Sequence, residues 1–138
     1  MKGFLLDTNV VSELRKMKPH GAVVAWLKGV PNEEIFLSAV TLGELQSGIE
    51  LARTQDPKKA EEIELWVDRL AESSQVVTMD GVCFREWARL MHGKPESVAE
   101  DAMVAATARV HGLTVATRNE RDFVSFGVSL LNPFLLTK

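Results

Sequence analysis

The sequence contains only one cysteine, Cys83, and no tyrosine. A single cysteine excludes a disulfide within the chain and a zinc site built from several cysteines. Because disulfides are typical of oxidising compartments, this scarcity favours a reducing environment, and we expect a cytoplasmic protein. No apolar run approaches the length of a membrane span, and the N-terminal residues lack the pattern of a secretory signal, so we expect no association with a membrane.

The sequence also lacks an excess of positive charge. It has 16 Lys and Arg against 19 Asp and Glu, which gives a net charge of −3 at pH 7. This balance argues against a protein that binds nucleic acid through bulk positive charge. It leaves open a protein whose carboxylates are gathered to hold a metal ion, so the positions of the acidic residues become the central question.

The 138 residues contain no internal repeat, no low-complexity segment and no linker. Hydrophobic residues make up 46% of the chain and charged residues 25%, which is typical of a folded globular protein. We therefore predict a single domain over residues 1–138.

Short apolar segments without strict alternation indicate strands that are buried on both faces, as in parallel sheets. Five such segments occur, at residues 3–6, 35–38, 76–79, 114–117 and 128–131. Helical patterns separate them, over residues 23–27 and 42–52 and in segments that begin at Asp56, Asp80 and Ser97, the last two ending at Gly93 and Gly112. Strands that alternate with helices predict a three-layer α/β/α fold around a five-stranded parallel sheet.

Asp7 directly follows the first predicted strand, in the segment Leu6-Asp7-Thr8-Asn9. In open α/β sheets ligands bind beyond the carboxyl ends of the strands, so a carboxylate at this position is a candidate for chemistry. Asp-Thr-Asn is equally suited to a turn or a helix cap. The segment alone does not separate the two interpretations.

Glu44 and Asp101 lie near the starts of two helical segments. Thr41 and Glu44 have the spacing of a capping box, which would give Glu44 a structural role; alternatively its carboxylate points toward the strand ends. Ser97 and Glu100 repeat the capping-box spacing and leave Asp101 unexplained. Asp101 begins a run of small residues that implies close helix packing, and a carboxylate beside such a surface needs a partner such as a metal ion.

Polar residues also follow the fourth predicted strand. Asn119 stands at the strand end, as Asp7 does at the first, and Asp122 follows one helical turn later. A purely structural interpretation lets Asn119 start a short helix and lets Asp122 pair with a nearby arginine. Both interpretations are open at the level of the sequence.

Together these segments resemble the PIN domain, in particular toxins of the VapC/FitB type. The similarity extends over nearly the whole chain, in order and at ordinary spacing. It lies in the stretches LLDTN (residues 5–9), LSAVTLGEL (37–45) followed by GI (48–49), DAMVAATA (101–108), TVATRN (114–119) and NPF (132–134).

The resemblance implies a site for a divalent metal ion. Asp7, Glu44 and Asp101 match the three acids that hold the metal in the family, with Mg²⁺ the expected ion and Mn²⁺ the alternative. The family's fourth acidic position falls on Asn119, which carries no charge, so one metal ion or two is left open. Asp122 could compensate for the missing charge.

The resemblance further implies the strand order 3-2-1-4-5, endoribonuclease activity and the role of toxin in a type II toxin–antitoxin system. The partners would be an RNA substrate, a cognate antitoxin, a second copy of the chain in a homodimer, and operator DNA bound through the antitoxin. We expect in-line attack on the phosphodiester by water that the metal activates, leaving a 5′-phosphate and a 3′-hydroxyl. Two alternatives are a metal nuclease unrelated to growth control and a protein that acts mainly by binding antitoxin and operator DNA.

Weaker candidates surround the predicted site. Thr8 and Thr117 could orient the carboxylates through their hydroxyl groups. Arg15, Arg118 and Arg121 follow the first and fourth strands and could guide a phosphate backbone, or they are solvated surface or interface charges. The three tryptophans lie on helical apolar stripes, so we expect packing in the core or a dimer interface rather than base stacking. The sequence does not identify which RNA is cut.

Overall fold

The computed structural model describes residues 3–136, so residues 1, 2, 137 and 138 of the predicted domain lie outside it. Its centre is a parallel sheet of five short strands in the order β3-β2-β1-β4-β5. The strands are β1 (Phe4–Leu6), β2 (Ile35–Ser38), β3 (Gln75–Val77), β4 (Thr114–Ala116) and β5 (Leu130–Leu131). The parallel sheet and its order are confirmed, whereas residues 3, 78–79, 117 and 128–129 were predicted as strand and lie outside the strands of the structure.

Helices connect the strands, and β2 and β3 are joined by two in succession, as the sequence predicted. Within residues 3–136 the α-helices are α1 (Thr8–Glu13), α2 (Gly21–Gly29), α3 (Ala39–Gln55), α4 (Pro57–Ser73), α5 (Gly81–Met91), α6 (Ala99–His111) and α7 (Glu120–Phe123). Short 3₁₀ turns occupy Asn32–Glu34, Glu96–Val98 and Val124–Phe126. No helix in this part of the chain is long and apolar enough to cross a membrane.

The strands send alternate side chains into two helical layers. Leu5 in β1 is fully buried on the face that packs against α5 and α6, where it meets Ala102 and Ala105. Leu6 lies on the opposite face, together with Val10 and Val23 from α1 and α2. The small side chains of α6 allow that helix to pack closely on the sheet. This arrangement confirms the predicted three-layer α/β/α fold.

The tryptophans pack within the fold, as predicted. The Trp26 ring meets Phe4 edge to face with centroids 5.0 Å apart. Trp87 Nε1 donates a hydrogen bond to the Ala99 carbonyl at 3.0 Å, and Trp66 packs against the apolar clusters beside α3 and α4. The aromatic residues therefore join helices to the sheet.

Two predicted helix starts are confirmed by their caps. The Asp56 carboxylate accepts a hydrogen bond from the Lys59 amide at 3.2 Å, and Pro57 occupies the first position of α4. Asp80 accepts from the Cys83 amide at 3.1 Å and caps α5. Both carboxylates satisfy amide groups that the first helical turn leaves unpaired.

The predicted start of α6 at Ser97 was wrong. Ser97 lies inside the 3₁₀ turn Glu96–Val98, which follows Pro95, and Val98 precedes α6 without a side-chain cap. The turn uses the first residues of the segment in a tighter coil, so the α-helix begins two residues later. The end of α6 at Gly112 is as predicted.

Gly112→Ala is expected to lower the free energy of unfolding by about 1 kcal/mol, because Gly112 has a φ of 66° that a residue with a Cβ adopts at a cost. No atom lies within 4 Å of the position of an added Cβ, so the cost is one of backbone conformation alone. Gly81→Ala is the matched control, since Gly81 is equally uncrowded and lacks a positive φ. Equal destabilisation of the two variants in urea unfolding would contradict this account.

Candidate active site at the carboxyl edge of the sheet

Asp7 is the most constrained of the candidate residues. It follows β1, is 6% exposed, and its Oδ1 accepts a hydrogen bond from the Thr8 amide at 2.9 Å at the start of α1. Its Oδ2 accepts from Thr117 Oγ1 at 2.8 Å and from Asn9 Nδ2 at 3.2 Å. Burial raises the pKa of Asp7, while these hydrogen bonds oppose the shift. The carboxylate thus caps a helix and also lies at the edge where ligands bind.

Thr117 and Asn9 fasten the end of β4 to the start of α1. Thr117 is fully buried, and its Oγ1 accepts hydrogen bonds from the Asn119 amide at 3.0 Å and from Asn9 Nδ2 at 3.3 Å. The Asn9 Oδ1 accepts from the Arg118 amide at 3.0 Å. The sequence indicated only a turn or a helix cap for Asn9. In the structure its hydrogen bonds hold the residues that follow both β1 and β4.

Glu44 lies in the second turn of α3 and is half-buried. The predicted capping box with Thr41 is wrong, because α3 begins at Ala39 and is capped by Ser38, whose Oγ accepts from the Val40 amide at 3.1 Å. Glu44 Oε1 instead accepts a hydrogen bond from Thr8 Oγ1 at 2.6 Å.

The local environment disfavours a charge on Glu44. Burial raises its pKa to about 7, the hydrogen bond from Thr8 opposes the shift, and the neighbouring carboxylates Glu100 and Asp7 add to it. Glu100 was assigned only to a capping box by the sequence, yet it links α6 to α3 at this edge. Glu100 therefore belongs to the acidic cluster, although its capping-box spacing from Ser97 indicated only a structural role.

Asp101 occupies the first turn of α6 and is half-buried. Burial raises its pKa to about 6, and the negative charges of Asp7, Asp122 and Glu100 add to the shift. The two helices α3 and α6 therefore bring their carboxylates to the edge at which β1 ends.

Asn119 and Asp122 lie on the exposed side of the same edge. Asn119 precedes α7, as the structural interpretation expected, but its side chain makes no capping bond. The negative charge of Asp122 helps to raise the pKa values of Asp7 and Asp101. Asp122 has no ion pair with an arginine within residues 3–136, so that alternative was wrong. An open depression of about 410 Å³ is lined by residues 118–122.

The candidate site is rich in oxygen ligands, and its three acids lack ion pairs with basic side chains. In the described part of the chain, no Lys or Arg forms an ion pair with Asp7, Glu44 or Asp101. As placed there, no three His, Cys, Asp or Glu side chains form a metal-binding group. The donor chemistry nonetheless fits a hard cation such as Mg²⁺ or Mn²⁺, because these ions prefer carboxylate oxygens. Burial and mutual repulsion raise the pKa values of these carboxylates, and a bound cation would offset both effects.

The three candidate arginines occupy different surroundings. Arg118 and Arg121 line the depression beside Asp122. Arg15 is exposed beyond the end of α1, in the loop that leads to α2. The structure therefore places two of the three arginines next to the acidic edge.

Thr117→Val removes a hydrogen bond from a buried carboxylate, so it is expected to lower the free energy of unfolding by about 1–2 kcal/mol. For the ribonuclease activity that the family resemblance implies, the expected loss of rate is about tenfold. Thr117→Ser keeps the hydroxyl and should retain most of the cleavage rate. Thermal unfolding and single-turnover cleavage of both variants test this. Equal loss of rate in the two would show that the methyl group, rather than the hydroxyl, is what matters.

Comparison with known proteins agrees with this geometry. The family model of the PIN domain matches residues 4–127. The chain is 38% identical over 137 residues to Toxin FitB of Neisseria gonorrhoeae, covering 94% of this chain and 97% of the relative. It is 36% identical over 136 residues to the VapC ribonuclease Y4jK of Sinorhizobium fredii, covering 94% and 96%.

A solved structure has the same fold. The crystal structure of FitAcB from Neisseria gonorrhoeae superposes with a TM-score of 0.80 at 35% identity and covers 96% of this chain and 99% of that one. A second solved structure, of FitAB bound to an IR36 DNA fragment, superposes with a TM-score of 0.78 at 34% identity and covers 98% of each chain. The family model, the relatives and the fold agree, and the chain belongs to the PIN domain family, among relatives of the VapC and FitB type.

Proposed function

We propose that this chain is a Mg²⁺-dependent endoribonuclease that acts as the toxin of a type II toxin–antitoxin pair. The observation that carries the proposal is the acidic edge. Asp7, Glu44 and Asp101 are buried or half-buried, the charge of Asp7 helps to raise the pKa of the other two, and within residues 3–136 none of the three has a cationic partner. Relatives named ribonucleases support hydrolysis of RNA, and PIN-domain nucleases generally depend on divalent metal ions.

Asp7, Glu44 and Asp101 would hold the metal ion. When bound, a divalent cation lowers the pKa of an attacking water and offsets the negative charge of a phosphodiester. The protein's own part is to orient the ligands: Thr117, Asn9 and the Thr8 amide hold Asp7 in one orientation.

Further side chains would adjust the site. Thr8 holds Glu44 through the 2.6 Å hydrogen bond, and Asn119 and Asp122 border the edge on its solvent side. Asn119 offers an amide oxygen without charge. We therefore expect tighter binding of one metal ion than of a second.

The proposed partners follow from the relatives. FitAB was solved on DNA, which supports a cognate antitoxin for this chain and a complex with operator DNA through that antitoxin. We also propose a homodimer and a cytoplasmic location. In this proposal the antitoxin supplies the contacts to operator DNA, since the chain itself has a net charge of −3.

The test is cleavage of a single-stranded RNA oligonucleotide by the purified protein, beside the DNA oligonucleotide of the same sequence. Cleavage of RNA with Mg²⁺ or Mn²⁺, loss of cleavage with EDTA, and 5′-phosphate products are expected. Equal cleavage of DNA would favour a metal nuclease of broader specificity. Absence of cleavage with either ion, together with tight binding to the co-expressed antitoxin, would overturn the nuclease proposal in favour of a binding protein.

A further inference from the structure

Three parts of the chain meet around Arg118, next to the acidic edge. Its amide donates a hydrogen bond to Asn9 Oδ1 at 3.0 Å, and its carbonyl accepts one from Asn132 Nδ2 at 3.3 Å. Asn132 Oδ1 in turn accepts from the Phe134 amide at 2.9 Å. The backbone of Arg118 is therefore held on both sides, by α1 and by the C-terminal segment.

The side chain of Arg118 is held as well. Its guanidinium lies over the ring of Phe134, with Cζ 4.4 Å from the ring centroid. Phe134 is only 8% exposed and packs into the core beside Leu6 and Val10, so the surface that supports the cation is rigid. Stacking on an aromatic ring orders the guanidinium while leaving its N–H donors free at the edges.

This ordered cation has no carboxylate partner. Arg118 is exposed, and no ion pair involves it within residues 3–136. The nearby buried acid Glu13 is already satisfied by Lys16 Nζ at 2.9 Å and by the His20 amide at 2.9 Å. The hydrogen bond with Lys16 is the largest cause of the lowered pKa of Glu13, and the charge of Arg118 lowers that pKa less. Neutralising Glu13 therefore does not account for Arg118.

Arg118 lies next to the residues of the candidate active site. It directly follows Thr117, whose hydroxyl bonds Asp7, and it lines the 410 Å³ depression with Asn119 and Asp122. A phosphate backbone that approaches this edge meets several carboxylates and is repelled, so it needs a cation at a fixed place beside them. A guanidinium recognises phosphate oxygens with two parallel N–H donors.

We propose that Arg118 binds the RNA phosphate next to the scissile one, and that Phe134 is a positioning residue which holds Arg118 for this contact. The identification of the substrate as RNA rests on the proposed function. Because the contact is made equally before and during reaction, its loss raises KM and leaves kcat nearly unchanged.

The experiment compares Arg118→Ala, Arg118→Lys and Phe134→Leu with the control Arg85→Ala. Arg85 is an exposed arginine on α5, where its neighbours Cys83 and Glu86 contact the end of α6 opposite to Asp101. Binding of a labelled single-stranded RNA is measured by fluorescence anisotropy across a KCl series, in the Asp101→Asn background so that no RNA is cut. KM and kcat are then measured in the active background.

Arg118→Ala is expected to weaken RNA binding about tenfold and to reduce the slope of log K against log [KCl] by about 0.7, the value for one phosphate of a single strand. Arg118→Lys should keep the slope and lose part of the affinity. Phe134→Leu keeps the charge and most of the packing, and it should raise KM about threefold with kcat unchanged. Arg85→Ala should match the wild type.

Wild-type affinity and slope in Arg118→Ala would overturn the proposal, and so would an equal loss in Arg85→Ala, which would indicate general electrostatics. A fall in kcat with unchanged KM in Phe134→Leu would overturn the positioning role. A wild-type protein that binds RNA without cutting it would refute the proposed function, while the salt series would still decide the role of Arg118.

Discussion

Asp101→Asn is expected to reduce RNA cleavage about a thousandfold while the protein remains folded. The substitution removes one of three proposed metal ligands and keeps nearly the same shape at the start of α6. Since the charge on Asp101 is disfavoured by burial and by Asp7, Asp122 and Glu100, its removal does not damage the fold. Cleavage by purified protein and growth after induced expression are the two measurements, and both cleavage and growth arrest should be lost.

Asp68→Asn is the matched control for this prediction. Asp68 is exposed on α4, away from the carboxyl edge, and it carries the same change of one carboxylate to an amide. It should cleave RNA at the wild-type rate. If Asp101→Asn cleaves RNA as fast as Asp68→Asn, the activity comes from a contaminating nuclease or from other residues. Growth arrest that survives Asp101→Asn would point to binding rather than cleavage.

The sequence predicted the location of Asp7 well because two local facts sufficed. A short apolar segment ends directly before it, and carboxyl ends of parallel strands share one edge of the sheet. The order of the strands required the family resemblance, because periodicity along a chain does not state which strands are neighbours. With β1 and β4 adjacent, Asp7 and Thr117 come within hydrogen-bond distance.

The capping-box interpretation of Thr41 and Glu44 failed because two residues compete for the start of α3. Ser38 precedes Thr41 in the chain and stands at the end of β2, so it caps α3 and leaves Glu44 in the second turn. There the carboxylate faces Thr8 rather than a free amide of its own helix. Spacing alone does not decide which of two suitable residues becomes the cap.

Contacts between residues that are far apart in the chain could not be predicted from the sequence. The carboxylate of Glu100 on α6 lies near that of Glu44 on α3, and the guanidinium of Arg118 lies over the ring of Phe134 in the C-terminal segment. Both depend on side-chain directions that the tertiary fold sets. The resemblance included Asn132-Pro133-Phe134 as a motif but assigned it no role, and the structure shows that it supports the loop after β4.

In the absence of divalent metal, thermal stability is expected to fall as the pH rises from about 5 to about 7.5. The pKa of Glu44 is raised to about 7 and that of Asp101 to about 6, so the folded state holds protons that the unfolded state has already released. Raising the pH through these values removes the protons and leaves repelling charges in the folded protein. Because both side chains retain contact with water, solvent screening limits the cost to about 2 kcal/mol.

Glu44→Gln should therefore raise Tm at pH 7.5 by roughly 3–8 °C and flatten the dependence on pH. The amide can still accept from Thr8 and can donate to Glu100, so no hydrogen-bonding group is left unpaired. Glu86→Gln is a control of opposite sign, because hydrogen bonds with Arg109 and Arg89 lower the pKa of Glu86 and its charge stabilises the fold at neutral pH.

Mg²⁺ should raise the Tm of the wild type at pH 7.5 and leave that of Asp101→Asn nearly unchanged, since only an ion that binds the folded state stabilises it. A wild-type Tm that is independent of both pH and Mg²⁺ would contradict the acidic edge as a metal site. Stability and activity are then opposed at the same carboxylates. The substitutions that abolish cleavage stabilise the metal-free protein, because at pH 7.5 the site keeps together charges that a bound cation, and no longer a proton, neutralises.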